Sequence, residues 1–239
     1  MTTIAFLTDI HLDEVDMNSH GVDPYHNWQK ALADVATRHV DHVIIGGDIG
    51  SSSAYAHFFD SLQKLGIPYH AIIGNHDRYD DVVAHYHEPL KGDHKQLYYS
   101  IDPDGTRYIF LDSSPGAISA EQLEWLRRQL ETPHQIMLCV HHPVLSVDTP
   151  VDHLYPLQNR DELHAVLENS AKTITILCGH YHMPHEHTEG LLKQYITPAV
   201  SYQINEQADE IQISSERFGY RLITLDGGRS KTELIWLKA

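Results

Sequence analysis

Positive charge is scarce in this chain. Its 17 Lys and Arg face 33 Asp and Glu, a formal net charge of −16 with histidine neutral. That balance repels polyanions, so neither a nucleic acid polymer nor an anionic membrane surface is an expected partner. Long apolar runs are missing too: 41% of residues are apolar, yet no stretch reaches the length that crosses a bilayer. The N-terminus shows no basic segment, apolar signal core or small-residue cleavage site and enters a strand at Thr3. The expectation is a cytoplasmic protein. Cysteine is limited to Cys139 and Cys178, each inside an apolar run and two residues before a candidate metal ligand. Reduced core thiols fit that setting better than a disulfide or a metal site.

What the chain has in quantity is histidine, 20 in 239 residues, a length that fits one α/β domain over 1–239 with a substantial core. Several of these histidines stand where an apolar run stops. Tyr69 to Ile73 ends at Gly74-Asn75-His76-Asp77, and four other runs end at Asp9-Ile10-His11, Gly46-Gly47-Asp48, His141-His142 and Gly179-His180-Tyr181-His182. Carboxylate and amide oxygens with imidazole nitrogens suit iron, manganese or zinc. Asp9, His11, Asp48, Asn75, His141, His180 and His182 are too many for one ion. With one carboxylate shared they suit two ions close together, a geometry that clamps a phosphoryl group.

Asp9-x-His11, Gly47-Asp48, Gly74-Asn75-His76-Asp77, His141-His142-Pro143 and Gly179-His180-x-His182, in this order, resemble the signature of the calcineurin-like metallophosphoesterases across most of the chain. The resemblance implies a four-layer αββα sandwich, two mixed β-sheets flanked by helices. It also implies a dinuclear centre: one metal on Asp9, His11, Asp48 and His182, the other on Asp48, Asn75, His141 and His180. Asp48 is then the bridge, and a hydroxide held between the metals is the nucleophile. His76 acts beside the departing oxygen as general acid, and Asp77 orients it. Arg78 is a candidate phosphate contact or a plain surface arginine, and His142 contacts substrate or supports a ligand.

The protein serine/threonine phosphatases of this superfamily carry Gly-Asp-x-Val-Asp-Arg-Gly, whereas this chain runs Gly47-Asp48-Ile49-Gly50-Ser51. That activity is disfavoured. Pro198-x-x-Ser201-x-Gln203 and Gly219-Tyr220-Arg221 resemble the branch of class III cyclic nucleotide phosphodiesterases and glycerophosphodiesterases. The expected substrate is a small phosphodiester; a phosphomonoesterase or nucleotide pyrophosphatase on the same metals, or a scaffold without chemistry, are the alternatives. Tyr155, Asn159 and Arg160 border the site or form a loop and helix cap. His85, His87, His185 and His187 read as surface residues, with His185 and His187 a candidate outer shell. The polar stretch Asn205 to Arg217 is an exposed hairpin or a contact in a homo-oligomer.

The remaining pattern supplies the frame. Thr3–Thr8, Val43–Ile45 and Tyr69–Ile73 are strands alternating with helices, the first opened by Asp23-Pro24 and striped by Trp28, Ala31, Leu32 and Val35. Later strands are expected at Leu97–Ile101, Tyr108–Leu111, Gln135–Val140, Thr173–Cys178, Leu191–Ile196, Tyr220–Leu225 and Thr232–Leu237. Asp80 to His94 suggests a short helix and loop. Ser119-x-x-Gln122 is a capping box that opens a helix, and Asn159–Asn169 is another.

Overall fold

A computed structural model describes residues 1–86, 95–103, 105–226 and 229–239; His87 lies outside them. Strands β1 (Thr2–Leu7), β2 (His42–Gly46) and β3 (Tyr69–Ile72) are parallel, and β12 (Arg217–Asp226) and β13 (Arg229–Lys238) extend them in the order β13-β12-β1-β2-β3. β12 runs antiparallel to β1, with Phe6 opposite Arg221. The second sheet has the order β4 (Tyr99–Ile101), β5 (Thr106–Phe110), β6 (Gln135–Cys139), β7 (Ile174–Cys178), β9 (Leu192–Ile196), β8 (His185–Glu189). Its centre is parallel and its edge strands β4 and β8 are antiparallel.

Alternation along the strands explains the layers. In β1, Ile4 and Phe6, with Ile44 of β2 beside them, face the other sheet, where Phe110, Met137, Cys139 and Leu177 meet them. Ala5 and Leu7 point the opposite way, into a cluster with Trp28, Ala31 and Val35 of α1 (Pro24–Ala36) and Phe58, Phe59 and Leu62 of α2 (Tyr55–Leu65). In β6, Ile136 and Leu138 turn outward to α4 (Ala120–Leu130) and α6 (Arg160–Asn169). The result is the expected αββα sandwich, because strands buried on both faces need a helix layer outside each sheet. Each large aromatic in the middle layer, such as Phe6 with no exposure, stabilises the fold by about 3 to 5 kcal/mol relative to alanine.

Helix ends follow local chemistry. Asp23 caps α1 by accepting from His26 N at 3.0 Å, and Pro24 supplies the first turn. Ser119 caps α4 by accepting from Gln122 N at 3.3 Å. Gln122 does not complete a capping box; its amide pairs with the backbone of Asp112 at 2.9 Å in both directions. Three shorter pieces complete the chain. α3 (Tyr79–Val83) follows the third ligand loop, and α5 (Pro150–Leu154) lies in the connection after His142. β10 (Gln203–Ile204) and β11 (Ile213–Ser214) form a small antiparallel hairpin within the polar stretch.

Some edge elements differ from the sequence expectation. β8 has no apolar alternation, since His185, Glu186 and His187 belong to an edge strand with one face in water. Tertiary contacts hold it: Glu186 reaches the fully buried Arg221 at 3.1 Å, and His185 pairs with Glu206. Cys139 and Cys178 are buried free thiols, whose ionisation burial pushes up. Among the described residues no helix is long and apolar enough to cross a membrane.

Candidate metal centre

All the candidate ligands sit in loops just beyond strand C-termini, where the two sheets meet. Asp9 and His11 follow β1, Asp48 follows β2, Asn75 follows β3, His141 follows β6, and His180 and His182 follow β7. Five of these seven have left-handed backbones, with φ of 55° at Asp9, 54° at His11, 51° at Asp48, 69° at His180 and 49° at His182. Such non-glycine conformations cost about 1 kcal/mol or more each, so the surroundings must hold them. They do: Asp9 N donates to Gly47 O at 3.0 Å, and Ile10 N and His11 N donate to Asp48 O at 2.8 and 3.0 Å. Ser201 fastens the same loop from β12's side of the fold, its Oγ donating to Asp9 O at 2.8 Å.

Glycine in the motifs answers to space. A Cβ on Gly74 would lie 2.2 Å from Asp48 Oδ1, and one on Gly179 would lie 2.4 Å from Asp9 Oδ2. The carboxylates therefore rest directly on backbone, where His76 N donates to Asp48 Oδ1 at 2.9 Å and His180 N donates to Asp9 at 3.1 Å.

Among the described residues the ligand atoms gather into two groups, Asp9 with His11 and His182, and Asp48 with His141 and His180, joined by a third of His11, Asp48 and His76, all atoms of a group within 4.8 Å. His11 Nε2 and His182 Nε2 are 3.1 Å apart, and His182 Nε2 is 3.4 Å from Asp9 Oδ1. Two donors about 2.1 Å from one cation sit roughly 3.0 to 3.4 Å from each other. Asp48 Oδ2 lies 3.1 Å from His141 Nε2 and 3.7 Å from His11 Nε2, so a single oxygen reaches both groups. His141 Nε2 is fully buried and makes no hydrogen bond despite that approach. A lone pair aimed at a shared ion accounts for it.

The second nitrogen of three of the imidazoles supports this. His141 Nδ1 faces Gly46 O at 2.8 Å, His180 Nε2 faces Tyr155 O at 3.0 Å, and His182 Nδ1 faces Tyr202 O at 3.2 Å. His11 Nδ1 lies 2.9 Å from Glu14 Oε2. The nitrogens of His141, His180 and His182 that face carbonyls must carry the proton, leaving the other nitrogen free to bind metal, whereas His11 Nδ1 stands at ion-pair distance from Glu14 without a hydrogen bond. The electrostatics show acids and imidazoles packed together: burial pushes His11 and His141 down, but Glu14 and Asp48 raise His11, and Asp48 raises His141 to about 9. Burial pushes the carboxyls of Asp9 and Asp48 up, but the neighbouring imidazoles outweigh it and hold Asp9 at about 2 and Asp48 well below its ordinary value. Burial, aided by His141, pushes His180 down to about 4 and keeps it neutral. The residues present therefore fit two divalent cations that take both oxygen and nitrogen.

One sequence assignment changes, that of Asp77, and the surroundings of Arg78, His142 and Arg160 bear on the alternatives left open for them. Asp77 does not orient His76: its carboxylate accepts from Ile49 N and Gly74 N at 2.9 Å each and receives Tyr55 OH at 3.3 Å. Burial, then Asp48, raises it to about 7. It braces two ligand loops from behind. Arg78 points to solvent with 75% of its side chain exposed, pairs with Asp81 at 3.1 Å, and does not line the cavity. His142 is buried, bound to Ser113 Oγ at 2.8 Å, packed on His180, and not among the residues that border the cavity. Arg160 ties α6 to Asp152 and Tyr181 OH. Sequence reading missed Glu14, which lies within the polar loop after β1 and 3.2 Å from His76 Nδ1. Only its position three residues past His11 was available as a signal.

Above the cluster opens a cavity of about 320 Å³. His11, Asp48, Asn75, His76, His180 and His182 form its floor, and Val151, Tyr155, Tyr202, Ile204, Ile211 and Ile213 form its wall. A larger recess of about 1060 Å³ lies between α4 and α6, and no metal-ligand cluster borders it among the described residues.

Such a sandwich, with acid and imidazole ligands gathered at the strand ends of both sheets, defines a metal-dependent hydrolase of phosphoesters. The profile described as calcineurin-like phosphoesterase matches residues 2–184, and the chain belongs to that family. Over 227 residues it is 28% identical to a probable cyclic nucleotide phosphodiesterase of Fibrobacter succinogenes, covering 92% of this chain and 88% of that one. A probable glycerophosphodiester phosphodiesterase of Arcobacter nitrofigilis is 30% identical over 157 residues, 59% of this chain and 56% of the other. In fold the chain is similar to a dimetal phosphatase from Danio rerio, with a TM-score of 0.68, 12% identity, and 99% and 98% of the two chains covered.

Proposed function

We infer that the protein hydrolyses a small phosphodiester with one flat or apolar arm, a cyclic nucleotide before a glycerophosphodiester. The lining of the cavity carries this reading: among the described residues no arginine or lysine borders it, and one wall is aliphatic and aromatic. A diester brings one negative charge, whereas a monoester approaches two at pH 7 and gains from cationic side chains. The wall of Val151, Ile204, Ile211 and Ile213 suits a nucleobase better than glycerol. The names of both relatives support a small phosphodiester, and that of the Fibrobacter succinogenes relative supports the cyclic nucleotide. The net charge of −16 argues for a small molecule over a nucleic acid polymer.

Asp9, His11 and His182 with Asp48 would hold one cation, and Asp48, His141 and His180 with Asn75 the other. Manganese, iron or zinc suits these donors. When bound, the pair supplies Lewis acidity toward phosphoryl oxygens and a nucleophile from water at neutral pH. The side chains do the rest. His76 borders the cavity beside both groups and donates a proton to the leaving oxygen, and the apolar wall excludes bulk water and orients the second arm.

The deciding experiment compares bis(4-nitrophenyl) phosphate with 4-nitrophenyl phosphate on manganese-loaded and metal-stripped protein. A metal-dependent preference for the diester, followed by turnover of cyclic AMP, is expected. Preference for the monoester, or no turnover of either with metal bound, overturns the reading.

A further inference from the structure

Glu14 belongs to none of the ligand motifs, yet it is built into the site. With 16% of its side chain exposed, it places one oxygen, Oε2, 2.9 Å from His11 Nδ1 and 3.2 Å from His76 Nδ1. The two rings meet edge to face, their centroids 4.8 Å apart at 84°, so a single carboxylate oxygen serves both. Burial pushes the Glu14 carboxyl up, but His11 and His76 outweigh it and hold it at about 2.

The segment that carries Glu14 is fixed in advance. Leu12 N donates to Ile49 O, and Ser51 N donates to Leu12 O, both at 2.9 Å. Asp13 has a left-handed φ of 58° and is gripped by Ser53 Oγ at 2.8 Å and by Ser51 Oγ on its carbonyl at 3.2 Å. A carboxylate on a clamped segment loses little further freedom when it orders a neighbouring ring.

We propose that Glu14 is a positioning residue that ties the ring of His76 to the ring of His11, so that one carboxylate orients a metal ligand and the proton donor together. The proposal rests on the reading of His76 given above. Three of the four ligand imidazoles lean on backbone carbonyls, of Gly46, Tyr155 and Tyr202. His11 leans on a side chain, and that side chain is shared with His76. The contact engages Nδ1 of His76 and leaves Nε2 as the nitrogen available to a substrate. A partner lost from behind a ligand imidazole typically weakens metal binding by about 10- to 100-fold. Here the same loss also frees the donor ring to turn.

Glu14→Ala, Glu14→Gln, His76→Ala and the double variant Glu14→Ala/His76→Ala separate these effects. Manganese affinity is read by competition with a chelating dye, and kcat and KM are read at saturating manganese on bis(4-nitrophenyl) phosphate and on a cyclic nucleotide. Glu14→Ala is expected to weaken manganese binding about 10-fold or more, in the parent and in the His76→Ala background alike. At saturating metal it should lower kcat about 10-fold or more on the cyclic nucleotide, whose leaving group needs a proton. The loss should be smaller on the nitrophenyl diester, with KM within about threefold. In the His76→Ala background Glu14→Ala should add no further loss of kcat. Glu14→Gln, which keeps an acceptor oxygen, should recover most of both losses. An unchanged manganese affinity in Glu14→Ala, a kcat loss that persists in the double variant, or equal losses on the two esters would overturn the proposal. If the parent hydrolyses no diester, the functional reading fails, and the manganese titration still decides the His11 half of the assignment.

Discussion

The two sheets bring different chemistry to the seam between them. Loops of the first sheet supply Asp9, Asp48 and Asn75 with His11 and His76, whereas loops of the second supply imidazole alone, from His141, His180 and His182. Oxygen donors attract hard cations, and neutral imidazoles narrow the choice toward borderline ones. The first sheet's loops alone bring together His11, Asp48 and His76, but the other two groups close only across the seam, where His182 joins Asp9 and His11, and Asp48 joins His141 and His180. Metal affinity is therefore tied to the packing of one sheet on the other through Phe6, Ile44, Phe110 and Met137.

The strongest way to break this division is Asp48→Ala, because one oxygen reaches both groups. The expected outcome is loss of both metals and a fall of about a thousandfold in kcat/KM, checked by metal analysis and diester hydrolysis. His141→Ala, by contrast, should remove one metal and leave the group of Asp9, His11 and His182 able to bind the other.

Next in size is Asp152→Ala, which strikes only the second sheet's loops. Asp152 is buried and bound to Arg160, Tyr181 OH and Ser146 Oγ. Its removal should cost about 3 kcal/mol, read as a Tm lower by roughly 6 to 12 °C. Burial pushes its carboxyl up, but Arg160, then Ser146 and Tyr181, hold it below the ordinary carboxylate range. A depressed carboxylate contributes stability above its unfolded pKa of about 4, and loses it as pH falls below that value. Acid unfolding should accordingly be shallower in the variant than in the parent.

His76→Ala sharpens the first sheet's share. Metal content should stay at the parent level, and kcat for a diester with a poor leaving group should fall about a hundredfold. Parent rates on both good and poor leaving groups would remove His76 from the proton-transfer role. The smallest effect belongs to Arg78→Ala. Its guanidinium is exposed and paired with Asp81, so KM for the diester should change by less than about twofold.

The candidate ligands were legible because most of them stand just past the end of a strand. An apolar run of period two that stops at Asp, Asn or His marks a side chain at a sheet's edge, and Asp9, Asp48, Asn75, His141 and His180 all stand there. The helices showed in their caps and stripes, as at Asp23 and Trp28. β8 did not show, because a polar edge strand shares its composition with a loop. The roles of Asp77, Arg78 and His142 did not show either. Each borders a ligand in sequence, yet Asp77 turns to the amides of Ile49 and Gly74, Arg78 to solvent, and His142 to Ser113.

Composition, strand alternation and motif order by themselves determined the layered α/β fold, the residues that can bind metal, and their arrival at strand ends, since all of these depend on neighbours along the chain. The resemblance implied the grouping of ligands around Asp48; only the tertiary structure decided the distances at which carboxylate and imidazole meet, and that Glu14 stands between His11 and His76. Those relations join residues far apart in the chain, His11 and His182 by 171 positions. They are set by how two sheets pack, which no local pattern encodes.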